Sequence, residues 1–195
     1  MINLLLFVEQ FLISKTMGQY FKPVNIDRKQ YLLSHDYEGN GLKLMEHSYI
    51  DNHFVETVES LIAKGGQWYK DRIVWAGDYA DNEFNESGEE KDFNLYGWVS
   101  LEDKINPPMV KKGLRYLVNL DTREFVDKTK IPGIKNMPEW QIHPLPLLTC
   151  EGNGRGGGDY KGESPLIGKW ARQRVIASGS KPKNCTEIIF DLTED

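Results

Sequence analysis

At 195 residues, with 39% hydrophobic and 27% charged side chains, the chain has enough apolar material for one folded core and is not a disordered or fibrous sequence. Its net charge of -5 argues against general nucleic-acid binding, which needs Lys and Arg clustered against phosphates. Two cysteines, Cys150 and Cys185, make neither a disulfide framework nor a CxxC, so both are read as reduced thiols in a cytoplasmic protein.

The chain opens "MINLLLFVEQFLISK", a short apolar run that carries Glu9, with no basic region before it and no small-residue cleavage site after it. It is neither a signal peptide nor a membrane span, so no membrane partner is expected. Residues 1–16 are read as an N-terminal extension, a short helix on the body, and residues 17–195 as a single globular domain starting at Met17. An acylated Gly18 is excluded, because Lys22 stands where that signal needs Ser or Thr.

Tyr20 to Leu33 reads as two short strands around the polar turn Asn25-Ile26-Asp27-Arg28. His35 to Gly41 is a loop, and Leu42 to Met45 is read as a strand. Asp51 to Lys64 has a helical period: Phe54, Val55, Val58, Leu61 and Ile62 make one stripe, while Glu56, Glu59 and Lys64 face away. Asp51 or Asn52 caps it, and Gly65-Gly66 ends it. Arg72 to Ala76 is an apolar strand. The acidic stretch Asp78 to Asp92 is a solvated loop; it fails as a calcium loop because Glu86 stands where that motif needs Gly. Arg115 to Lys128 repeats the pattern of strand, turn, strand. Residues 131–146 are broken by prolines into extended chain, and Leu145 to Thr149 is read as an edge strand. A glycine loop follows, "CEGNGRGGGDYKG", then "WARQRVIASG" and a final strand in "TEIIFDL".

Two pairs of segments match in order. Val24 to Leu32 and Val118 to Val126 both read V-N-[IL]-D-x-[KR]-[QE]-[YF]-[LV], at an offset of 94. Trp68 to Gly77 and Trp170 to Gly179 both read W-x-[KR]-x-R-[IV]-[VI]-x-[AS]-G, at an offset of 102. The expected fold is therefore α+β and strand-rich, built from two related halves of about 17–105 and 106–195 with a pseudo-twofold internal repeat. A cleft between such halves is a natural place for a ligand.

In extended chain, Trp68, Lys70 and Arg72 share one side, as do Trp170, Arg172 and Arg174. An indole beside two cations can hold an anionic aromatic ligand. The glycine loop satisfies GxGxxG at Gly152, Gly154 and Gly157, yet lacks the following helix and the acid about twenty residues on that dinucleotide binding needs. Without GK[ST] it is not a P-loop either. What remains is a backbone able to form an anion-binding nest, with Arg155 and Asp159 beside it. Asp78 joins them, because Gly-Asp-Tyr occurs at both 77–79 and 158–160. His35, His47, His53 and His143 fall in no metal motif, neither cysteine has a catalytic context, and there is no GxSxG, so no metal and no cofactor are expected.

The segments "MGQYFKPVNIDRKQYL", "GLKLMEHS", "RIVWAGDYAD" and "LLTCEGNGRGGGDY" with "GKWARQRV" resemble a family of small microbial and phage proteins. Its members begin MGQY, continue with a VN-x-D hairpin, and carry a W-x-x-[DQ]-R-[IV] strand ending in GDYA. The resemblance spans most of residues 17–180. It implies one coherent domain starting at Met17 and a bacterial or phage origin. It implies no activity and no catalytic residues.

The leading functional expectation is a non-catalytic binder of a small anionic or nucleotide-like ligand in a cleft between the halves. Trp68, Lys70, Arg72, Asp78, Arg155, Asp159, Trp170, Arg172 and Arg174 would line it. The alternatives are a hydrolase or transferase using Asp78 or Asp159 as a base, and a protein-interaction module such as a phage-encoded inhibitor of a host protein.

Overall fold

Two asparagines set the two hairpins. Asn25 Oδ1 accepts the N–H of Arg28 at 2.9 Å; Asn119 Oδ1 accepts those of Asp121 and Thr122 at 2.9 and 3.1 Å. Each turn closes on a left-handed residue, Lys29 (φ 53°) or Arg123 (φ 54°). The computed structural model describes residues 18–135 and 137–193; the extension at residues 1–16 and the start at Met17 lie outside the described residues.

The turns connect β1 (Phe21–Asn25) to β2 (Gln30–Tyr31) and β4 (Tyr116–Asn119) to β5 (Glu124–Asp127). With β3 (Arg72–Gly77), β6 (Cys150–Glu151), β7 (Gln173–Ser178) and β8 (Thr186–Glu187) they make one eight-stranded sheet. Its order is β2-β1-β3-β7-β4-β5-β8, with β6 added parallel to β3. β5 and β8 are also parallel, and the other pairs are antiparallel. The fold is a single α+β domain dominated by this mixed sheet.

The two motif pairs make the same contacts. β1 runs against β3 with Val24 opposite Val74, and β4 against β7 with Val118 opposite Ile176. The Trp68 indole N–H donates to Gln30 Oε1 at 3.0 Å; that of Trp170 donates to Glu124 Oε2 at 2.9 Å. Arg72 grips Asp27 through its backbone N–H and its guanidinium, and Arg174 grips Asp121 in the same way. β3 and β7 pair with Arg72 directly opposite Arg174.

One sheet face holds the main core, in which Trp68, Trp75 and Trp170 are fully buried. α1 (Leu44–His47), α2 (His53–Ile62) and α4 (Pro144–Thr149) pack there, with α2 lying on β7 and α4 on β3. The opposite face carries a smaller cluster of Val24, Tyr31, Val74, Ala76, Leu95 and Val99 under α3 (Leu95–Trp98). Burying this much apolar area is the main stabilising term.

Local chemistry overrides several sequence expectations. Leu42 to Met45 is not a strand: the Glu46 carboxylate accepts the Lys43 N–H at 3.1 Å and starts α1. Leu145 to Thr149 is helix rather than edge strand, because His143 Nδ1 accepts the Leu145 N–H at 3.1 Å and Pro144 suits the first helical position. Asn52 caps α2, accepting from Phe54 and Val55. Glu59 does not face away. It is buried, with both oxygens on the Lys128 ammonium at 2.5 and 2.7 Å and the His143 Nε2 at 3.3 Å. In "TEIIFDL" only Thr186 and Glu187 pair as strand.

Candidate functional site

β3 and β6 run parallel only as far as Ala76 and Glu151. Beyond that point the chain splays into Gly77 to Ala80 on one side and the glycine loop on the other. The buried Gln19 side chain fills the gap. A Cβ on Gly77 or on Gly152 would come within 2.3 Å of its Nε2, and one on Gly156 within 2.6 Å of its Cβ. These glycines make room for one side chain. Among the described residues, neither Nε2 nor Oε1 of Gln19 has a hydrogen-bond partner.

The loop does form an anion nest, and its own carboxylate fills it. Asp159 Oδ2 accepts the N–H groups of Gly154, Arg155 and Gly156 at 2.7, 3.0 and 3.1 Å. Asn153 and Tyr160 clamp the base with reciprocal bonds of 3.1 and 2.9 Å. Asp159 Oδ1 is buried and, among the described residues, has no hydrogen-bond partner. Burial pushes this carboxyl up, against the pull of the three N–H donors. Asp78 lies close enough to add to the rise. The Asp78 carboxylate accepts the Tyr20 N–H at 3.0 Å and is likewise pushed up by burial.

Opposite the loop stands the acidic stretch, which is less open than its composition suggests. Phe84 bridges Glu90, and backbone bonds between Glu83 and Lys91 and between Asn85 and Glu89 tighten it into a hairpin tip. Between this hairpin and the glycine loop opens a cavity of about 570 Å³. Arg155 and Arg172 reach into it from one side, and Asp81, Glu83 and Phe84 from the other. Arg155 binds both oxygens of Asp81 at 2.8 and 3.0 Å and the Tyr79 carbonyl at 2.8 Å. Arg172 is gripped by both oxygens of Glu83, at 2.6 and 2.9 Å, and by both of Glu151. Those bonds keep its guanidinium charged. Phe84 is 60% exposed.

The nine candidate residues therefore divide. Arg155 and Arg172 line the cavity, Asp159 braces the loop behind Arg155, and Asp78 holds the Tyr20 N–H outside the cavity lining. Trp68 and Trp170 do not offer a stacking face, because both are fully buried core residues. Lys70 and Arg172 have φ of 68° and 62°, so the residues before β3 and β7 turn instead of extending, and the expected one-sided rows do not form. Arg72 and Arg174 are tied to Asp27 and Asp121 at the junction of β3 with β7. Gln19 and Phe84 carried no sequence signal beyond an aromatic stranded in an acidic run. Among the described residues no cluster of His, Cys, Asp and Glu could hold a metal ion, and no helix is long and apolar enough to cross a membrane.

No family model matches the chain, and no curated protein or solved structure matches it either. The family resemblance set out above rests on its quoted motifs alone.

Proposed function

We propose that the protein is a non-catalytic binder of a small anionic, nucleotide-like ligand, held in the cavity between the acidic hairpin and the glycine loop. The observation that carries this reading is the convergence of Arg155 and Arg172 with the exposed ring of Phe84 on one cavity. Arg155 is the residue that changes partner. Its carboxylate, Asp81, is 82% exposed, and solvent screening leaves such an exposed ion pair weak. A ligand phosphate or carboxylate replaces Asp81 in the same bidentate geometry. Phe84 supplies a face for a planar group. Neither candidate base, Asp78 nor the buried Asp159, lines this cavity, so neither faces a ligand held there. That favours binding over hydrolysis.

We also read the two halves as copies related by a pseudo-twofold axis passing between Arg72 and Arg174. The matched registers and the shared Trp and Arg bonds support this. On this reading the cavity belongs to both halves, with residues 80–84 from the first and residues 151, 152, 155 and 172 from the second.

Thermal shift assays with phosphate, pyrophosphate, ADP and ATP test the proposal. At least one should raise the melting temperature, and Arg155→Ala and Phe84→Ala should each weaken that ligand by about tenfold or more. A panel with no shift, or a shift that both variants keep unchanged, overturns it.

A further inference from the structure

Lys22 sits on β1 opposite Ala76 of β3, on the sheet face covered by α3. It is 6% exposed. Its Nζ lies 4.0 Å from the ring centre of Tyr96 and 4.4 Å from that of Tyr31. Among the described residues no carboxylate comes within ion-pair distance, and burial alone acts on the group, lowering it to about 8. The rings do not become counter-ions, because burial pushes both phenols up and keeps them protonated at neutral pH. The other charged or titratable groups around the pair act on the tyrosines: Asp78 and Tyr20 on Tyr96, and Lys104, Asp36 and Asp103 on Tyr31. A buried ammonium without a carboxylate is costly, and ring faces offset only part of that cost. Desolvation thereby raises the share of neutral amine with a free lone pair, which is one way a lysine becomes a nucleophile.

We propose that Lys22, held between the rings of Tyr31 and Tyr96, is a reactive amine that condenses with small aldehydes. The neutral Nζ lone pair forms a C–N bond to the carbonyl carbon while the C=O π pair moves to oxygen. Proton transfer from nitrogen to that oxygen gives the carbinolamine. Loss of the hydroxyl with a second N–H proton releases water and leaves the imine. Nothing is oxidised or reduced. This site is independent of the anion cavity.

The test treats the full folded chain with limiting glycolaldehyde and cyanoborohydride at pH 7.5, and follows each lysine by peptide mass spectrometry. At that pH an amine titrating near 8 is neutral roughly two hundred times more often than an ordinary lysine. Its lower intrinsic nucleophilicity and its walls reduce the advantage. Lys22 should label on the order of tenfold faster than Lys112, whose side chain is 73% exposed. The preference should vanish in urea, and the labelling rate of Lys22 should titrate with a midpoint near 8. Equal or slower labelling than Lys112, or a midpoint in the ordinary lysine range, overturns the proposal. Tyr96→Leu removes one ring face and keeps an apolar wall, so it should lower the midpoint; an unchanged midpoint removes the rings from the mechanism.

Discussion

His47 ties the core to pH. It is completely buried between Phe54 and Trp75. Its Nε2 accepts the Trp75 indole N–H at 2.9 Å, and its Nδ1 lies 3.3 Å from the Gly41 carbonyl. Indole nitrogen only donates, so the imidazole is neutral with its proton on Nδ1. Burial lowers this histidine to about 4. The unfolded chain titrates near the ordinary value of about 6.5. The folded value is depressed, so the unfolded state takes up the proton first as pH falls. The stabilisation is complete above about pH 6.5 and is lost between there and about pH 4. Integrating this linkage from pH 7.5 to 5.0 gives a loss of about 2 kcal/mol. Urea unfolding followed by tryptophan fluorescence at the two pH values measures it. His47→Gln can still accept from Trp75 and donate to Gly41 without titrating, so its loss should be smaller by about that amount. His143 is also buried and lowered in the same direction, but it is present in both proteins and cancels from the difference. If the two proteins lose the same stability within about 0.5 kcal/mol, the assignment of His47 as a buried neutral acceptor is wrong.

Asp159→Ala removes the acceptor of three loop N–H groups; water reaches part of the loop, so the expected cost is about 2–3 kcal/mol, with Asp159→Asn near half of that. Hydrogen exchange at Gly154 to Gly156 should accelerate in both variants, and unchanged exchange would show that the carboxylate does not order the loop. Trp68→Phe and Trp170→Phe each delete one indole N–H bond and leave a cavity, so each should cost about 2–3 kcal/mol, with the two values within about 1 kcal/mol. A large inequality in chemical denaturation would show that the two buried indoles are not equivalent. Hydrogen bonding from Arg174 holds the Asp121 carboxyl below the usual range. Its stabilisation is present above the ordinary carboxylate value of about 3.9 and is lost as pH falls through the lower folded value, so the gap between wild type and Asp121→Asn should close on acidification below about pH 4.

The strand pattern was legible because it rests on local chemistry. Asn and Asp at the turns and alternating apolar residues around them define both hairpins without knowledge of the rest. The two short helices were less legible, because each starts on a side-chain cap that a strand pattern also tolerates: Glu46 on Lys43, and His143 on Leu145. Glu59 misled for a different reason. On a helical wheel it faces outward, but Lys128 from the end of β5 and His143 from the start of α4 close over it, and both partners are distant in sequence. At the site, Arg155 and Arg172 could be picked out by residue type. Their carboxylate partners could not, since Asp81, Glu83 and Glu151 differ from the other acids only in where the fold puts them. The tryptophans were misjudged because the left-handed turns at Lys70 and Arg172 break the extended spacing assumed for them, and both indoles pack into the core.

The glycine loop is best understood by asking what each of its parts already holds. Its amides hold Asp159, its glycines admit Gln19, and its one arginine reaches out to Asp81. An external anion therefore cannot use the nest unless Asp159 leaves it, and burial of Asp159 behind the Asn153–Tyr160 clamp makes that exchange expensive. Exchange at Arg155 breaks the exposed ion pair with Asp81 and can leave the bond to the Tyr79 carbonyl in place. Ligand affinity should therefore collapse in Arg155→Ala and fall far less in Asp159→Asn, whose loosened loop still carries the arginine. Calorimetric titration of wild type, Arg155→Ala and Asp159→Asn with the panel's tightest ligand separates the two routes. A ligand that binds more tightly to Asp159→Asn than to wild type would show that the nest, relieved of its carboxylate charge, is the true site, and that Asp159 acts as an internal competitor for it.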